Sequence, residues 1–392
     1  MPMDLLDCVV RRIESLPDYV RFSLVCSSWR YCAANSQAAK MVSKSWYGPP
    51  MLLIPSDKVD TWKVYNVMNR ILDDLQLEVP DRRFCGSSNG WLIVVEENFA
   101  VTLINPFLRV KEKRNSVIHL PPLVDLSREN HDMMRWGDTP HVYYVWRATL
   151  SGDPLLNSDN CIVVVTYGNR RQLAFIRLGK DEKWNFVRKR FLQNEDIAYF
   201  QGKFFTLNAM AVLQSINTTT GPKFICEDEG CYPGSSSRKG FAEIRKYLVD
   251  CNGEDLLMVT RIIRYIDRKT NCNTWNFEVW RMDFDRSEWI RKDTLGNVAI
   301  FLGNNSSVSM IAPNPEFPGC HPNCIYFSHD SDLDKYYHED TGPNDLGVYN
   351  LQDGSVSSYT ALVDPIMKMT KQSPTPIWVE PTLQLSSTSE SC

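Results

Sequence analysis

The chain has 392 residues, with 43 Lys+Arg against 47 Asp+Glu for a formal charge of −4. Those charges are dispersed, with neither a basic face nor a charged tail, which argues against nucleic acid as the main partner. An apolar fraction of 43% that includes 11 Trp, 16 Tyr and 17 Phe is too rich in large side chains for a disordered chain. The longest apolar runs, such as Ile162–Val165 and Leu92–Val95, fall far short of the roughly 18 residues that span a bilayer, so no membrane partner is expected.

From Met1 to about Lys44 the apolar residues keep a helical period. Leu5, Leu6, Val9, Val10 and Ile13 form a first helical face, and Leu16, Val20, Leu24, Val25 and Trp29 continue it after the Leu16-Pro17-Asp18 break. So short a segment cannot bury all of these side chains by itself, which predicts an exposed apolar face suited to docking. Asp4, Asp7 and Arg11-Arg12 stand in the wrong order for a secretory signal, so the 12 Cys read as reduced thiols in the cytoplasm or nucleus.

From about Gly48 the pattern changes to short β-branched and aromatic runs bounded by Gly, Asn, Asp and Pro. These are Met51–Ile54, Trp91–Val95, Val101–Ile104, Val142–Trp146, Ile162–Tyr167, Leu173–Ile176, Lys203–Leu207, Leu256–Ile263, Phe277–Met282, Cys324–Phe327 and Ile377–Val379. Trp62, Tyr65, Met68, Leu72 and Leu75 could line a helix, but Asn69 and Asp73-Asp74 favour strand, turn, strand. A tight turn feeding an apolar strand recurs at Asn89-Gly90, Gln201-Gly202, Asn252-Gly253 and Pro322-Asn323. A charged turn closing on Trp recurs at 180–184 and 285–289. Radial repetition of four-stranded sheets at roughly 40 to 50 residues each predicts a propeller of about seven blades, within a range of about six to eight. Its first and last strand runs should meet, and Trp91, Trp184 and Trp289 should pack between blades.

The N-terminal Pro2-Met3-Asp4-Leu5-Leu6, Leu16-Pro17-Asp18-Tyr19-Val20-Arg21-Phe22 and Val25-Cys26-Ser27-Ser28-Trp29-Arg30 resemble an F-box, with Met1 where that family usually has Leu. The remainder is similar to the plant F-box proteins whose C-terminal region is a kelch-like propeller, the domain of unknown function 295 family. That likeness rests on Cys85–Leu92, Leu103–Phe107, Leu120–Leu123, Phe301–Ser307, Phe317–Cys320 and Asn323–Phe327. The resemblance implies a multidomain chain: a three-helix, all-α F-box at 1–44, an all-β propeller at 48–382 and a flexible tail at 383–392. It implies a non-catalytic substrate receptor of a Skp/cullin/F-box ubiquitin ligase, with the Skp-type adaptor, through it a cullin ligase, and an unidentified target protein as partners. Adaptor contact is carried onto Pro2, Leu5, Leu6, Val25, Cys26 and Trp29. The alternatives are a propeller scaffold whose F-box no longer recruits the ligase and, from another class, an all-β hydrolase.

Catalytic, cofactor and metal motifs do not survive their context. Gly86-Ser87-Ser88-Asn89-Gly90 spells G-x-S-x-G, but a nucleophile elbow leads into a helix and Trp91–Val95 reads as a strand. Cys320-x3-Cys324 and Cys226-x4-Cys231 lack the short knuckle spacing of structural zinc, and Asp330-x-Asp332-x-Asp334 is followed by Lys335 where a calcium loop needs Gly. The six His are isolated. No catalytic, cofactor or metal residue is therefore expected. Target contacts are expected from the long polar loops at Asp125–Pro140, Thr218–Lys239 and Asp330–Asp345.

Overall fold

The structure is a computed structural model that describes residues 3–10, 29, 32, 49–56, 61–67, 72–76, 83–106, 117–123, 144–155, 160–187, 193–216, 226–230, 242–265, 272–304, 306–312, 319–329, 345–357 and 374–381. At the N-terminus it holds one helix, α1 (Met3–Val10), and places Trp29 and Cys32 in helical conformation. The expected three-helix unit is thus not what the described residues present. The rest of 1–44 lies outside them.

From residue 49 onward every element among the described residues is a strand, and the sheets form a propeller of six blades. Blade 1 holds β1 (Met51–Pro55), β2 (Thr61–Asn66) and β3 (Leu72–Gln76). Blade 2 holds β4 (Phe84–Ser88), β5 (Trp91–Val95), β6 (Ala100–Ile104) and β7 (Val117–Pro122). Blade 3 holds β8 (Val145–Leu150), β9 (Ile162–Tyr167), β10 (Gln172–Arg177) and β11 (Asn185–Val187). Blade 4 holds β12 (Asn194–Phe200), β13 (Lys203–Asn208), β14 (Leu213–Ile216) and β15 (Cys226–Gly230). Blade 5 holds β16 (Ala242–Cys251), β17 (Asp255–Tyr265), β18 (Cys272–Asp283) and β19 (Glu288–Lys292). Blade 6 holds β20 (Val298–Gly303), β21 (Ser306–Ile311), β22 (Cys324–Phe327), β23 (Gly347–Asn350) and β24 (Val356–Ser357). The final strand, β25 (Ile377–Val379), returns to blade 1. Seven blades were expected from an assumed blade length. Six form because long connections and blade 5 strands of 10, 11 and 12 residues use more chain per blade. The strand–turn–strand reading of 61–76 holds, since β2 and β3 pair antiparallel.

Middle strands such as Trp91–Val95 and Ile162–Tyr167 are largely apolar because both of their faces are covered. In a strand successive side chains point to opposite sides. Ile162 and Val164 therefore enter the core between blades 3 and 4, while Val163 and Val165 enter the core between blades 2 and 3. Six apolar clusters fill the six seams between blades. The Trp residues pack as expected: Trp91 is fully buried, and the indoles of Trp184 and Trp289 donate to the carbonyls of Pro121 (2.8 Å) and Ala211 (3.3 Å).

Ring closure joins the two ends of the propeller in one sheet. Met51, Leu52 and Leu53 pair with Val379, Trp378 and Ile377, so that β25 becomes the innermost strand of blade 1. The Trp378 indole donates to the Leu302 carbonyl (3.0 Å) and packs edge-on against Phe301. Blade 6 departs from a simple meander. Its β20 occupies the second position and turns inward to β21, and β22 then lies outside β20 and parallel to it. The inner wall of the ring is built by β25, β4, β8, β12, β16 and β21, each touching the next. Gly86 permits one of these approaches, because a Cβ there would lie 2.1 Å from the Ala148 carbonyl oxygen.

Candidate functional site

The six inner strands enclose a channel that opens into a cavity of about 450 Å3. Tight turns of two and three residues form part of its rim. Asn89-Gly90 joins β4 to β5, and both residues have positive φ, 52° and 76°. Asn252 and Gly253, between β16 and β17, have φ of 55° and 77°. This left-handed pair matches the twist of an antiparallel hairpin, and Asn and Gly adopt it most readily. Three of the recurrent turns seen in the sequence, Asn89-Gly90, Gln201-Gly202 and Asn252-Gly253, thus finish the inner strands β4, β12 and β16, whereas Pro322-Asn323 leads into β22.

Polar side chains from the inner strands tie the blades together across the channel. Asp196 on β12 accepts hydrogen bonds from the amides of Ile197 (2.9 Å) and Leu248 of blade 5 (2.7 Å). The guanidinium of Arg147, on β8, lies 3.6 Å from the same carboxylate. Arg147 also donates to Oδ1 of Asn304 in the β20–β21 turn (3.3 Å), and Asn304 donates from Nδ2 to Thr375 Oγ1 ahead of β25 (3.0 Å). One polar chain therefore crosses blades 5, 4, 3, 6 and 1. Burial pushes the Asp196 carboxyl up to about 6 against the opposing pull of Arg147.

Nearer the mouth the cavity is lined by Asn89, Ser151, Asp250, Asn252, Ser309 and Glu380. The Asp250 carboxylate accepts from the Gly253 amide (2.7 Å), and Ser309 Oγ donates to the Asp250 carbonyl (2.6 Å) while accepting from the Asn252 amide (3.1 Å). Glu380 follows β25. Burial, with the Asp250 charge second, pushes its carboxyl up to about 7. The lining is therefore acidic and hydroxyl-rich, and neither His nor Cys is among the described residues that form it.

Residues singled out in the sequence are distributed elsewhere. Leu5 and Val9 are exposed on α1, at 52% and 37%, whereas Leu6 is fully buried. Trp29 is half-buried, and Pro2, Val25 and Cys26 lie outside the described residues. Of the three loops expected to bind a target, Asp125–Pro140 lies outside them entirely. Thr218–Lys239 contains strand β15, and Asp330–Asp345 ends on a buried aspartate in an interblade network. The G-x-S-x-G stretch runs from β4 through the Asn89-Gly90 turn into β5, with no helix after it. Cys320 and Cys324 are buried in the seam between blades 6 and 1, and burial pushes the Cys320 thiol up to about 12. The channel residues themselves were not singled out as a site. The signal that could have found them is the set of polar residues placed just before each inner hairpin turn.

The sequence profile of the KIB1-4 beta-propeller family matches residues 63–350. Curated relatives from Arabidopsis thaliana include F-box protein SKIP23, 24% identical over 391 residues, covering 91% of this chain and 89% of that protein. F-box protein At2g17036 is 24% identical over 406 residues, covering 97% and 94%. F-box/kelch-repeat protein At1g57790 is 26% identical over 329 residues, covering 79% and 77%. With the six-bladed ring and a profile match across most of its strands, the chain belongs to the KIB1-4 beta-propeller family, among relatives that are plant F-box proteins.

Proposed function

We propose that the protein is the substrate-recognition subunit of a Skp/cullin/F-box ubiquitin ligase, working in the cytoplasm or nucleus. Its N-terminal segment docks on the Skp-type adaptor, and its propeller presents a target protein. The observation that carries this reading is α1, where Leu5 and Val9 stand four residues apart and both exposed, ahead of a complete propeller. Residues at that spacing share one helix face, and an unpartnered apolar stripe fits a groove on another protein. Full-length relatives named F-box proteins support the same assignment. On this reading the chemistry of ubiquitin transfer resides in other subunits, and this chain acts by binding at both ends.

The test is co-expression of the full chain with a Skp-type adaptor, followed by affinity capture. Replacing both Leu5 and Val9 by Asp would place charge in a desolvated groove, and capture should fall by at least about tenfold. Because both side chains are already exposed, the melting temperature of the isolated chain should stay unchanged. No capture of the wild-type chain, or undiminished capture of the variant, would overturn the assignment and leave a propeller scaffold.

A further inference from the structure

Blade 5 outruns its neighbour. Its strands β16, β17 and β18 are 10, 11 and 12 residues long, against 7, 6 and 4 for β12, β13 and β14 of blade 4. The Lys246 ammonium donates to the Ala209 carbonyl (2.8 Å) in the β13–β14 turn, which marks where blade 4 ends beside β16. Lys246 pairs with Thr260 and Thr260 with Glu278, so residues 242–245, 261–265 and 272–277 continue beyond that level. Four residues of strand make about 13 Å of sheet. Leu248 and Met258 fill the core between blades 4 and 5. Side chains alternate along a strand, so Ile244, Ile262 and Arg264, at even steps from them, face the same way past the edge of blade 4.

This extension carries apolar and cationic side chains together. Ile244 is 39% exposed, Trp275 43%, and Met210, in the neighbouring turn, 74%. The Arg264 guanidinium stacks on the Trp275 ring at 3.6 Å from its centroid. Stacking uses the flat face of the guanidinium and leaves the N–H donors along its edge, the geometry that takes a carboxylate in two parallel bonds. Among the described residues Arg264 makes neither a hydrogen bond nor an ion pair. The acids nearby are already engaged or covered: Glu243 pairs with Arg245, and Glu278 is buried. Arg264 lies opposite Ala242, so Arg264 and Lys246 stand about 13 Å apart along the sheet with Ile244 midway.

We propose that this wall of blade 5 docks an extended, acidic segment of a target polypeptide, in which two carboxylates flank an apolar side chain. This rests on the propeller receiving a target, as proposed above, and adds where it is received and by what chemistry. In an extended chain residues i, i+2 and i+4 point one way and span about 13 Å. A sequence of acid, any residue, apolar, any residue, acid therefore sets its carboxylates on Arg264 and Lys246 and its apolar side chain on Ile244. Lys246 keeps two N–H donors beyond the one given to Ala209. Trp275 at one end and Met210 at the other widen the apolar contact, and Trp, Arg and Met are side chains that interfaces favour.

Fluorescence anisotropy of the full chain with a labelled peptide carrying Glu-Ser-Phe-Ser-Glu should give saturable binding that weakens as salt is raised. The same peptide with Gln for both Glu should bind at least about tenfold more weakly. Arg264→Glu should weaken binding of the acidic peptide by a similar factor and should bind a Lys-Ser-Phe-Ser-Lys peptide better than the wild type does. Arg264 is exposed, so the melting temperature of that variant should stay unchanged. Phe186→Ser, at an exposed position on the outer strand of blade 3, should bind as the wild type does. No binding by the wild type, equal binding of the Gln peptide or undiminished binding by Arg264→Glu overturns the proposal. So does a dimer in sedimentation that Arg264→Glu abolishes, since a second copy then covers the wall. The assay contains no adaptor, so its failure leaves the ligase assignment to the capture experiment, and failed capture leaves the peptide result standing.

Discussion

Arg261 on β17 is fully buried, and its surroundings show how the seam between blades 5 and 6 is held. The guanidinium donates to Thr274 Oγ1 (2.8 Å), to the Ser328 carbonyl (2.9 Å) and to the Asp345 carboxylate (2.9 Å). Asp345 in turn accepts from the amide and the hydroxyl of Thr274. The Phe327 ring lies beneath the cation at 4.6 Å. A buried ion pair is worth little against an apolar replacement, but removing one partner strands a charge. Asp345→Ala should therefore lower the unfolding free energy by about 3–5 kcal/mol. Denaturant titration is the check, and Arg261→Met added to Asp345→Ala should recover much of the loss.

At the scale of elements, β25 matters most for its length. Its three residues, Ile377, Trp378 and Val379, are all buried and fill the seams on both sides of blade 1. Burial of three such side chains stabilises by about 5–9 kcal/mol, comparable to the whole stability of a domain. Deleting 375–392 would also leave β1 with an unpaired edge at the channel wall. That truncation should aggregate or melt far lower, whereas deleting 383–392 should leave the melting temperature within about 1–2 °C. Thermal melts of the two proteins decide it. Equal tolerance would mean that β25 does not close the ring.

For the whole molecule, the channel acids set how stability follows pH. Asp196 at about 6 and Glu380 at about 7 both hold a proton more tightly in the folded ring than in the unfolded chain. Their contribution is fully present below the unfolded values near 4 and is lost as pH rises through 6 and 7. Asp181 and Asp353 shift the other way, held down by hydrogen bonds from Arg177 and Ser355, so their effect is confined to more acidic solution. Denaturation midpoints should therefore fall between about pH 4 and pH 7. Glu380→Gln should raise the midpoint at the upper end and leave it unchanged at the lower end. A midpoint that rises across this window in the wild type would contradict the raised proton affinity of both acids.

Middle strands were legible because their chemistry is local. Ile162–Tyr167, Trp91–Val95 and Cys324–Phe327 are β-branched and aromatic almost throughout, and the structure gives them the same bounds. The hairpin turns were legible too, since Asn-Gly carries its backbone preference in the dipeptide. Apart from Ile377–Val379, the inner strands were less so. Phe84–Ser88, Asn194–Phe200, Ala242–Cys251 and Ser306–Ile311 put Ser, Asp, Arg and Lys among their apolar residues, because one side faces a seam and the other faces the channel. Those strands carry most of the candidate site, so the part hardest to read is the part that lines the channel. The sequence by itself determined an all-β ring, its turns and its apolar seams, all of which depend on residues close together in the chain. Only the tertiary structure decided the number of blades, the inward turn of blade 6 and the meeting of Asp250 with Glu380. Each of these depends on how far the ring turns before it closes, a sum over every connection that no single segment encodes.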